Sequence, residues 1–429
     1  MRADDDADVI VVGAGPGGAA TAHYLAQAGH DVLLLEKGTF PRDKVCGDGL
    51  TPRAVAELIR MGVPTPESEG WIRNWGLRTY GAGHCLELPW PDLAEMPNYG
   101  LAKARMGLDE TLARHAVASG ARLEEGVLVT GPVRHERSGR VLGVTARRVD
   151  ANGRRTGEEL TYRAPLVVDA GGVSARLATA MGIEKAVNRP MGVAVRTYFR
   201  SPRHDDPMME SHLELWDGKP GESNLMPGYG WIFALGDGTV NVGLGSLSPT
   251  AKATNLDYKA LFRTWMRNVP EEWGFTEDNQ VAELRSAALP MAFNRKPHYT
   301  QGLLLVGDSG GMVSPFNGEG IAYALQSGRI AADVIAQALA RPTHYAQEKA
   351  LRTYPEILGR ELGGYYTLGR GFAHLIGRPE IMRFCVRHGL PRPVLMRFVM
   401  KLLSDGFDRH GGDWMDRLIT AAAKAVPAA

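Results

Sequence analysis

Six residues near the start of the chain, Gly13-Ala14-Gly15-Pro16-Gly17-Gly18, have the types and spacing needed to hold a diphosphate. Gly13 permits a tight turn, Gly15 lets the backbone approach a pyrophosphate, and Gly18 lets a helix pack closely on a strand. Ala14, Pro16 and Gly17 complete the cradle. A helix starting here offers free N–H groups and the positive end of its dipole to the phosphates. Glu36 stands 21 residues beyond Gly15, where a carboxylate can accept both ribose hydroxyls, and Lys37 follows it. An acid at this place disfavours a 2′-phosphate, so the motif suits FAD or NAD rather than NADP.

A second motif chooses between those two. Val306-Gly307-Asp308 ends an apolar run and leads through Pro315-Phe316-Asn317-Gly318-Glu319-Gly320 into a helix beginning at Ile321. Asp308 then falls near a ribityl chain, and the helix start at Gly318, Gly320 and Ile321 faces the flavin N1/O2 edge. That edge becomes anionic on reduction, so a helix N-terminus stabilises it. NAD enzymes need no such second site, so the expected cofactor is FAD. Gly307-Asp308-Ser309-Gly310-Gly311 also matches the nucleophile motif of trypsin-like proteases, but those are disulfide-linked double β-barrels. Ser309 lies between a strand and a helix and reads as structural.

The third feature is the loop Phe40-Pro41-Arg42-Asp43-Lys44-Val45-Cys46-Gly47-Asp48-Gly49. It follows Glu36 closely enough to run under the cofactor, which makes Lys44, Cys46, Gly47 and Asp48 expected contacts. A lone cysteine is usually a small packed apolar residue. Cys46 instead precedes glycine in a charged loop, which favours a chemical role.

These residues need a scaffold. Val9–Val12, the glycine turn, a helix over Ala19–Ala28 and a second strand over Val32–Leu35 make one βαβ unit. Leu166–Val168 and Leu303–Val306 also read as strands, each followed by a helix. Between them the period changes to two. Met191–Arg200, His212–Trp216, Tyr229–Leu235 and Thr239–Leu247 read as strands, the last two joined at Gly236-Asp237-Gly238. Leu77–Tyr80 and Cys85–Leu88 read as another hairpin. After Pro342 the pattern is helical, with breaks expected at Gly363-Gly364, Gly377-Arg378-Pro379 and Gly389-Leu390-Pro391. The expected fold class is α/β: a discontinuous Rossmann-type FAD-binding domain (1–75, 99–185, 296–341), an inserted antiparallel-sheet substrate domain (76–98, 186–295) and a helical C-terminal region (342–429).

The run Lys44-Val45-Cys46-Gly47-Asp48-Gly49-Leu50-Thr51-Pro52-Arg53 resembles the geranylgeranyl reductase family of flavoproteins, as do Pro227-Gly228-Tyr229-Gly230-Trp231-Ile232-Phe233 and the Gly307–Gly320 segment. The resemblance covers essentially the whole chain and is nearest to the actinobacterial menaquinone reductase branch. It implies a fold like p-hydroxybenzoate hydroxylase and an FAD-dependent reduction of an isoprene double bond in a polyprenyl chain. The menaquinone side chain is the first candidate, and a geranylgeranyl lipid or terpenoid the alternative. It places Cys46 beside the flavin as a catalytic residue, adds Arg105 to the phosphate contacts and Val129 to the cofactor contacts, and lines a prenyl cavity with Pro227, Tyr229, Trp231 and Phe233. Alternation alone puts the three aromatic residues on one face. An isolated alkene has no carbonyl to accept charge, so Cys46 is expected to give or relay a proton to one carbon while hydride reaches the other. Two departures stand out. Asp169-Ala170-Gly171-Gly172 replaces the Asp-Gly of flavin hydroxylases, and Ala234 follows Phe233 where proline is common.

Composition excludes much else. The 429 residues carry 49 basic and 48 acidic side chains, a formal charge of +1, and are 44% apolar. Such a chain has no global electrostatic reason to bind nucleic acid. Its 52 glycines, about 12% where roughly 7% is usual, suit repeated close approach of backbone to a ligand. Cys46, Cys85 and Cys385 form no framework, and the histidines show no paired metal spacing, so neither disulfides nor a metal are expected. An acidic start without a basic n-region, and no long apolar run, point to a cytoplasmic location. Peripheral contact with the inner membrane face fits the segment Arg370–Lys401, which has seven basic residues against Glu380 among many apolar ones. The electron donor, NAD(P)H or ferredoxin-type, is left open. A flavin hydroxylase or halogenase of the same fold is the enzymatic rival, although the WxWxIP segment of halogenases is absent. A prenyl-binding carrier is the non-enzymatic one.

Overall fold

The computed structural model describes residues 6–150, 153–248 and 256–429, so the acidic start at 1–5 lies outside the described residues. Val9–Val12 is central in a six-stranded sheet. Val32–Leu35 and then Arg122–Glu124 lie on one side; Leu166–Asp169, Leu303–Leu305 and Tyr299–Thr300 lie on the other. Every pairing is parallel except the last. The strands are apolar on both faces because both are covered. The helices Pro16–Gln27, Arg105–Ala118 and Ile321–Leu339 bury Val9, Val11, Val32 and Leu34. Ile10, Leu33 and Leu35 pack instead against Val129, Val141 and Val144.

Those last residues belong to a three-stranded meander, Val127–Arg134, Val141–Val149 and Arg155–Arg163, that the sequence pattern does not announce. Register shifts after Val141 and Thr145 break the alternation that would have marked its strands. Its outer positions are arginines and threonines, so only half of each strand reads as apolar.

The second large sheet has seven strands in the order Arg285–Pro290, Met191–Arg200, Thr239–Ser248, Tyr229–Ala234, Met209–His212, Gly76–Gly81, His84–Pro89. It is antiparallel except where Met209–His212 runs parallel to Gly76–Gly81. The single strand expected over His212–Trp216 is therefore two. Met209–His212 joins this sheet, whereas Leu215–Trp216 pairs with Leu225–Met226. One face packs on the helix Tyr258–Met266 through Val195, Ile232, Val242, Phe262 and Trp265. The other carries Tyr229, Trp231 and Phe233.

The C-terminal region is helical, but no break occurs at Gly363-Gly364. The chain passes through a π turn, Gly359–Gly363, directly into the helix Gly364–Ile376. The glycines serve packing instead: a Cβ on Gly364 would lie 2.0 Å from the Ala423 carbonyl oxygen of the helix Trp414–Ala425. The expected breaks at Gly377–Pro379 and Gly389–Pro391 separate the helices Gly364–Ile376, Pro379–Gly389 and Pro393–Leu403.

The first glycine turn is tightly determined. Gly13 has φ +97°, and a Cβ on Gly18 would lie 1.8 Å from the Gly13 carbonyl oxygen. Gly18→Ala must therefore push the helix off its strand, at about 2–4 kcal/mol. Thermal unfolding of the flavin-free protein checks this, and an unchanged Tm would contradict the packing.

Candidate flavin site

Glu36 ends the second strand of the parallel sheet, almost fully buried. One carboxylate oxygen accepts the Ala14 N–H at 2.9 Å, inside the glycine turn, and the other accepts the Gly38 N–H at 2.9 Å. Arg42 bridges Glu36 at 3.0 Å to Asp109 at 2.8 Å. Asp109 also receives two hydrogen bonds, 2.8 and 2.7 Å, from Arg105 one turn earlier on its helix. Arg105 also interacts electrostatically with Cys46; burial lowers its pKa, but Asp109 and Cys46 together leave it raised above its ordinary value. A line of alternating charge thus runs from the first glycine turn to Cys46. Asp109 is absent from the sequence-based site; its place four residues after Arg105 is the signal that could have found it.

Asp48 organises the next layer. It is fully buried at φ +66°, a conformation unusual for a non-glycine residue. Its carboxylate accepts the Arg105 N–H at 3.2 Å, the Tyr198 hydroxyl at 2.7 Å and the Asn241 side-chain amide at 2.8 Å. Burial nevertheless pushes its carboxyl up to about 6, against those side-chain bonds and the charges of Arg196 and Arg105. Asn241 also donates to the Cys46 carbonyl at 2.9 Å and accepts from the Trp231 indole at 2.8 Å. The loop is thereby held to the aromatic strand. A Cβ on Gly47 would lie 3.1 Å from the Phe233 ring, and one on Gly49 2.9 Å. Tyr229, Trp231 and Phe233 do share one face, with successive ring centroids 6.2 and 6.4 Å apart.

Lys44 reaches across to Asp308 at 3.4 Å, so the third feature meets the second. Ser309 is buried, donating to Asp169 at 3.0 Å, which suits its structural reading. Asp169 caps its own turn through the Gly171 and Ala178 N–H groups. Glu319, between Gly318 and Gly320, was not assigned a role from sequence. One of its oxygens accepts from Thr51 at 2.8 Å, and the other is buried without a partner. Burial pushes its carboxyl up to about 7, opposed by Thr51 and Arg53. Tyr229 hydrogen-bonds the neighbouring Asn317 carbonyl.

The other expected residues are more peripheral. Lys37 is exposed, Pro227 is half-buried, and Ile321 is the buried first residue of its helix. The Val129 side chain lies in the core beneath the sheet, although its strand begins with the Val127 N–H on the Glu36 carbonyl at 2.9 Å.

These residues fit FAD. The helices at Pro16 and Ile321 both start without a side-chain cap, leaving N–H groups for an anion. A Cβ on Gly15 would meet nothing closer than Asp109 at 3.9 Å, so the backbone there is open to close approach.

Glu36→Ala should lower the flavin-to-protein ratio after purification, the lost charge-assisted ribose bonds being worth about 1.5–3 kcal/mol each; an unchanged ratio would contradict that placement. Glu319 gives a pH signature in the flavin-free protein. Because its folded pKa is raised, the proton is held more tightly in the folded chain than in the unfolded one. The associated stability is full below about 4.5 and is lost as pH rises through about 7. Glu319→Gln should flatten the fall in Tm across that window.

A model of the FAD binding domain matches residues 6–357. Menaquinone reductase of Mycobacterium tuberculosis is 36% identical over 418 residues, covering 97% of this chain and 96% of the relative. Digeranylgeranylglycerophospholipid reductase of Methanocella arvoryzae is 31% identical, covering 84% and 86%. Among solved structures, a geranylgeranyl bacteriochlorophyll reductase-like protein from Thermoplasma acidophilum superposes with a TM-score of 0.75 at 22% identity, covering 94% and 96%. The fold, the two uncapped helix starts and these relatives agree: the chain is an FAD-dependent oxidoreductase and belongs to the geranylgeranyl reductase family of flavoproteins.

Proposed function

We propose that the enzyme saturates an isoprene double bond in the menaquinone side chain. The observation carrying this reading is the aromatic strand Tyr229–Phe233 packed directly on Cys46–Gly49, in a chain 36% identical to a menaquinone reductase. Bound FAD supplies hydride when reduced. Gly13–Gly18, Glu36, Lys44, Asp308 and the Gly318–Ile321 helix start would hold it. The apolar ring faces orient the chain and exclude water, as an unactivated alkene requires.

Cys46 Sγ gives the proton in this reading. Loss of that proton leaves a thiolate, whose charge the electrostatically coupled Arg105 guanidinium offsets. Asp48 and Asn241 are positioning residues that hold the Cys46 backbone. The domain division 1–75, 99–185 and 296–341 against 76–98 and 186–295, with a helical remainder, belongs to the same reading.

The substrate tail stays in a bilayer, so the enzyme must visit one. No helix of the described residues is long and apolar enough to cross a membrane. An open groove of about 730 Å³ lies between the helices Pro393–Leu403 and Trp414–Ala425, lined by Pro391, Val394, Leu395, Phe398, Trp414 and Leu418. Exposed Arg378, Arg387, Arg392 and Arg397 lie on the adjoining stretch. We place an anionic bilayer surface there. The basic segment is weaker than its sequence implies: Lys401 is buried and paired with Asp413 and Asp416 at 2.8 and 2.7 Å, and Arg383 lies over Trp216.

Three experiments test this. Mass spectrometry of quinone pools in a deletion strain should show loss of the partly saturated menaquinone; an unchanged pool overturns the substrate. Cys46→Ser should retain FAD yet lose at least tenfold in alkene reduction, and full turnover removes the proton role. Reversing Arg378, Arg387 and Arg397 to Glu should release the protein from anionic vesicles, each cation near the surface contributing about 1 kcal/mol. Binding that survives both the reversal and high salt would exclude this face.

A further inference from the structure

Glu319 lies in a closed turn just before the helix Ile321–Leu339. The Gly318 N–H donates to the Ser314 carbonyl at 3.1 Å, the Glu319 N–H to Asn317 Oδ1 at 3.0 Å, and the Ser314 N–H to the Glu319 carbonyl at 2.8 Å. The turn stands between the aromatic strand and the expected ribityl acid. A Cβ on Gly318 would lie 4.0 Å from the Tyr229 hydroxyl, and one on Gly320 3.4 Å from an Asp308 carboxylate oxygen. The Glu319 side chain points to the end of the segment that carries Cys46. Thr51 occupies the N-cap position of the helix Pro52–Met61 without capping it. Its hydroxyl donates to Glu319 Oε1 instead, at 2.8 Å.

Among the described residues no cation is ion-paired with this acid. Arg53, whose charge it feels, holds Asp405 at 3.1 Å and Gln326 at 2.9 Å. Asp405 faces it as a like charge and is also held by Arg409 at 3.3 Å. Tyr229 and Tyr366 sense its charge as well, and their hydroxyls donate to the carbonyls of Asn317 and Met312. Glu319 Oε2 is buried without a partner. An ionised carboxylate so placed is a buried charge with no counter-ion of its own, whereas a neutral carboxyl needs none. Burial accordingly pushes the group up to about 7.

We propose that Glu319 is a positioning residue that takes up a proton from solvent when the bound flavin is reduced and releases it when hydride leaves. The inference rests on the FAD placement and the reductase reading. A two-electron donor delivers two electrons and one proton to the cofactor, leaving one negative charge at its N1/O2 edge. The free N–H groups at Gly320 and Ile321 favour that charge. An anion one residue ahead of them would cancel their effect, so the second proton goes to Glu319 and keeps the turn neutral. Coupling of this kind is reciprocal: reduction tightens the proton on Glu319, and the proton favours reduction.

Midpoint potentials of the holoenzyme, titrated against reference dyes at a series of pH values, read this coupling without substrate. Above about 7 the wild type should take up two protons per two electrons, against one in Glu319→Gln, so its potential falls more steeply with pH. Equal slopes in the two proteins overturn the proposal. Should Glu319→Gln fail to hold FAD, Thr51→Val reads the same coupling. Without its hydrogen bond the Glu319 pKa rises, and the steepening should begin at higher pH; an unmoved onset overturns the proposal. In the flavin-free protein the infrared band of a neutral carboxyl should be present below about 7 and missing from Glu319→Gln. A band of equal strength in both proteins overturns it too. Menaquinone turnover after dithionite reduction judges the reductase reading separately, because the potentials are measured with no quinone present.

Discussion

The Asp48 carboxylate is the contact on which the two halves of the molecule depend. It is reached by a main-chain N–H from the nucleotide half and by Tyr198 and Asn241 from the seven-stranded sheet. A left-handed backbone at a non-glycine residue costs roughly 1–2 kcal/mol, and burial of the carboxyl costs more. Three hydrogen bonds to a charged group, at about 1.5–3 kcal/mol each, offset only part of this. Burial outweighs them and pushes the carboxyl up to about 6. The result is geometric: Cys46 and Gly47 are held between Arg105 on one side and Trp231 and Phe233 on the other.

The charged line behind that loop follows a different logic. Glu36, Arg42, Asp109 and Arg105 alternate in sign through a largely buried region. Each charge has an opposite neighbour, which is the condition for burying charge at all. The line joins the end of the second strand to Cys46, so Glu36 and the thiol belong to one electrostatic unit.

The C-terminal helices close the other side of the sheet. Met396 and Met400 pack with Leu88, Trp90, Met209 and Phe233, so one face of the helix Pro393–Leu403 touches the end of the aromatic strand. Its opposite face lines the groove with Trp414 and Leu418. One helix thus lies between the aromatic strand and the proposed membrane face. Its position is held by Lys401 on Asp413 and Asp416, and by Arg53 on Asp405 at 3.1 Å.

Local chemistry made much of this legible in the sequence. Gly13, Gly15, Gly18 and Glu36 act within one strand–turn–helix–strand unit, so their spacing alone specifies their geometry. The alternation of Tyr229, Trp231 and Phe233 specifies a shared face for the same reason. What the sequence could not determine depends on chain segments far apart. The meander at 127–163 was hidden by register shifts, and the helix through Gly363-Gly364 by glycines that serve contact with Ala423 and Ala428. Asp109, Asn241 and Glu319 are ordinary polar residues in sequence; only tertiary packing buries them and aims them at Arg105, Cys46 and Thr51. Likewise Lys401 counts as surface charge in sequence, and only folding brings Asp413 and Asp416 against it. Burial and long-range pairing are set by the whole packed chain, so they were decided by the tertiary structure alone.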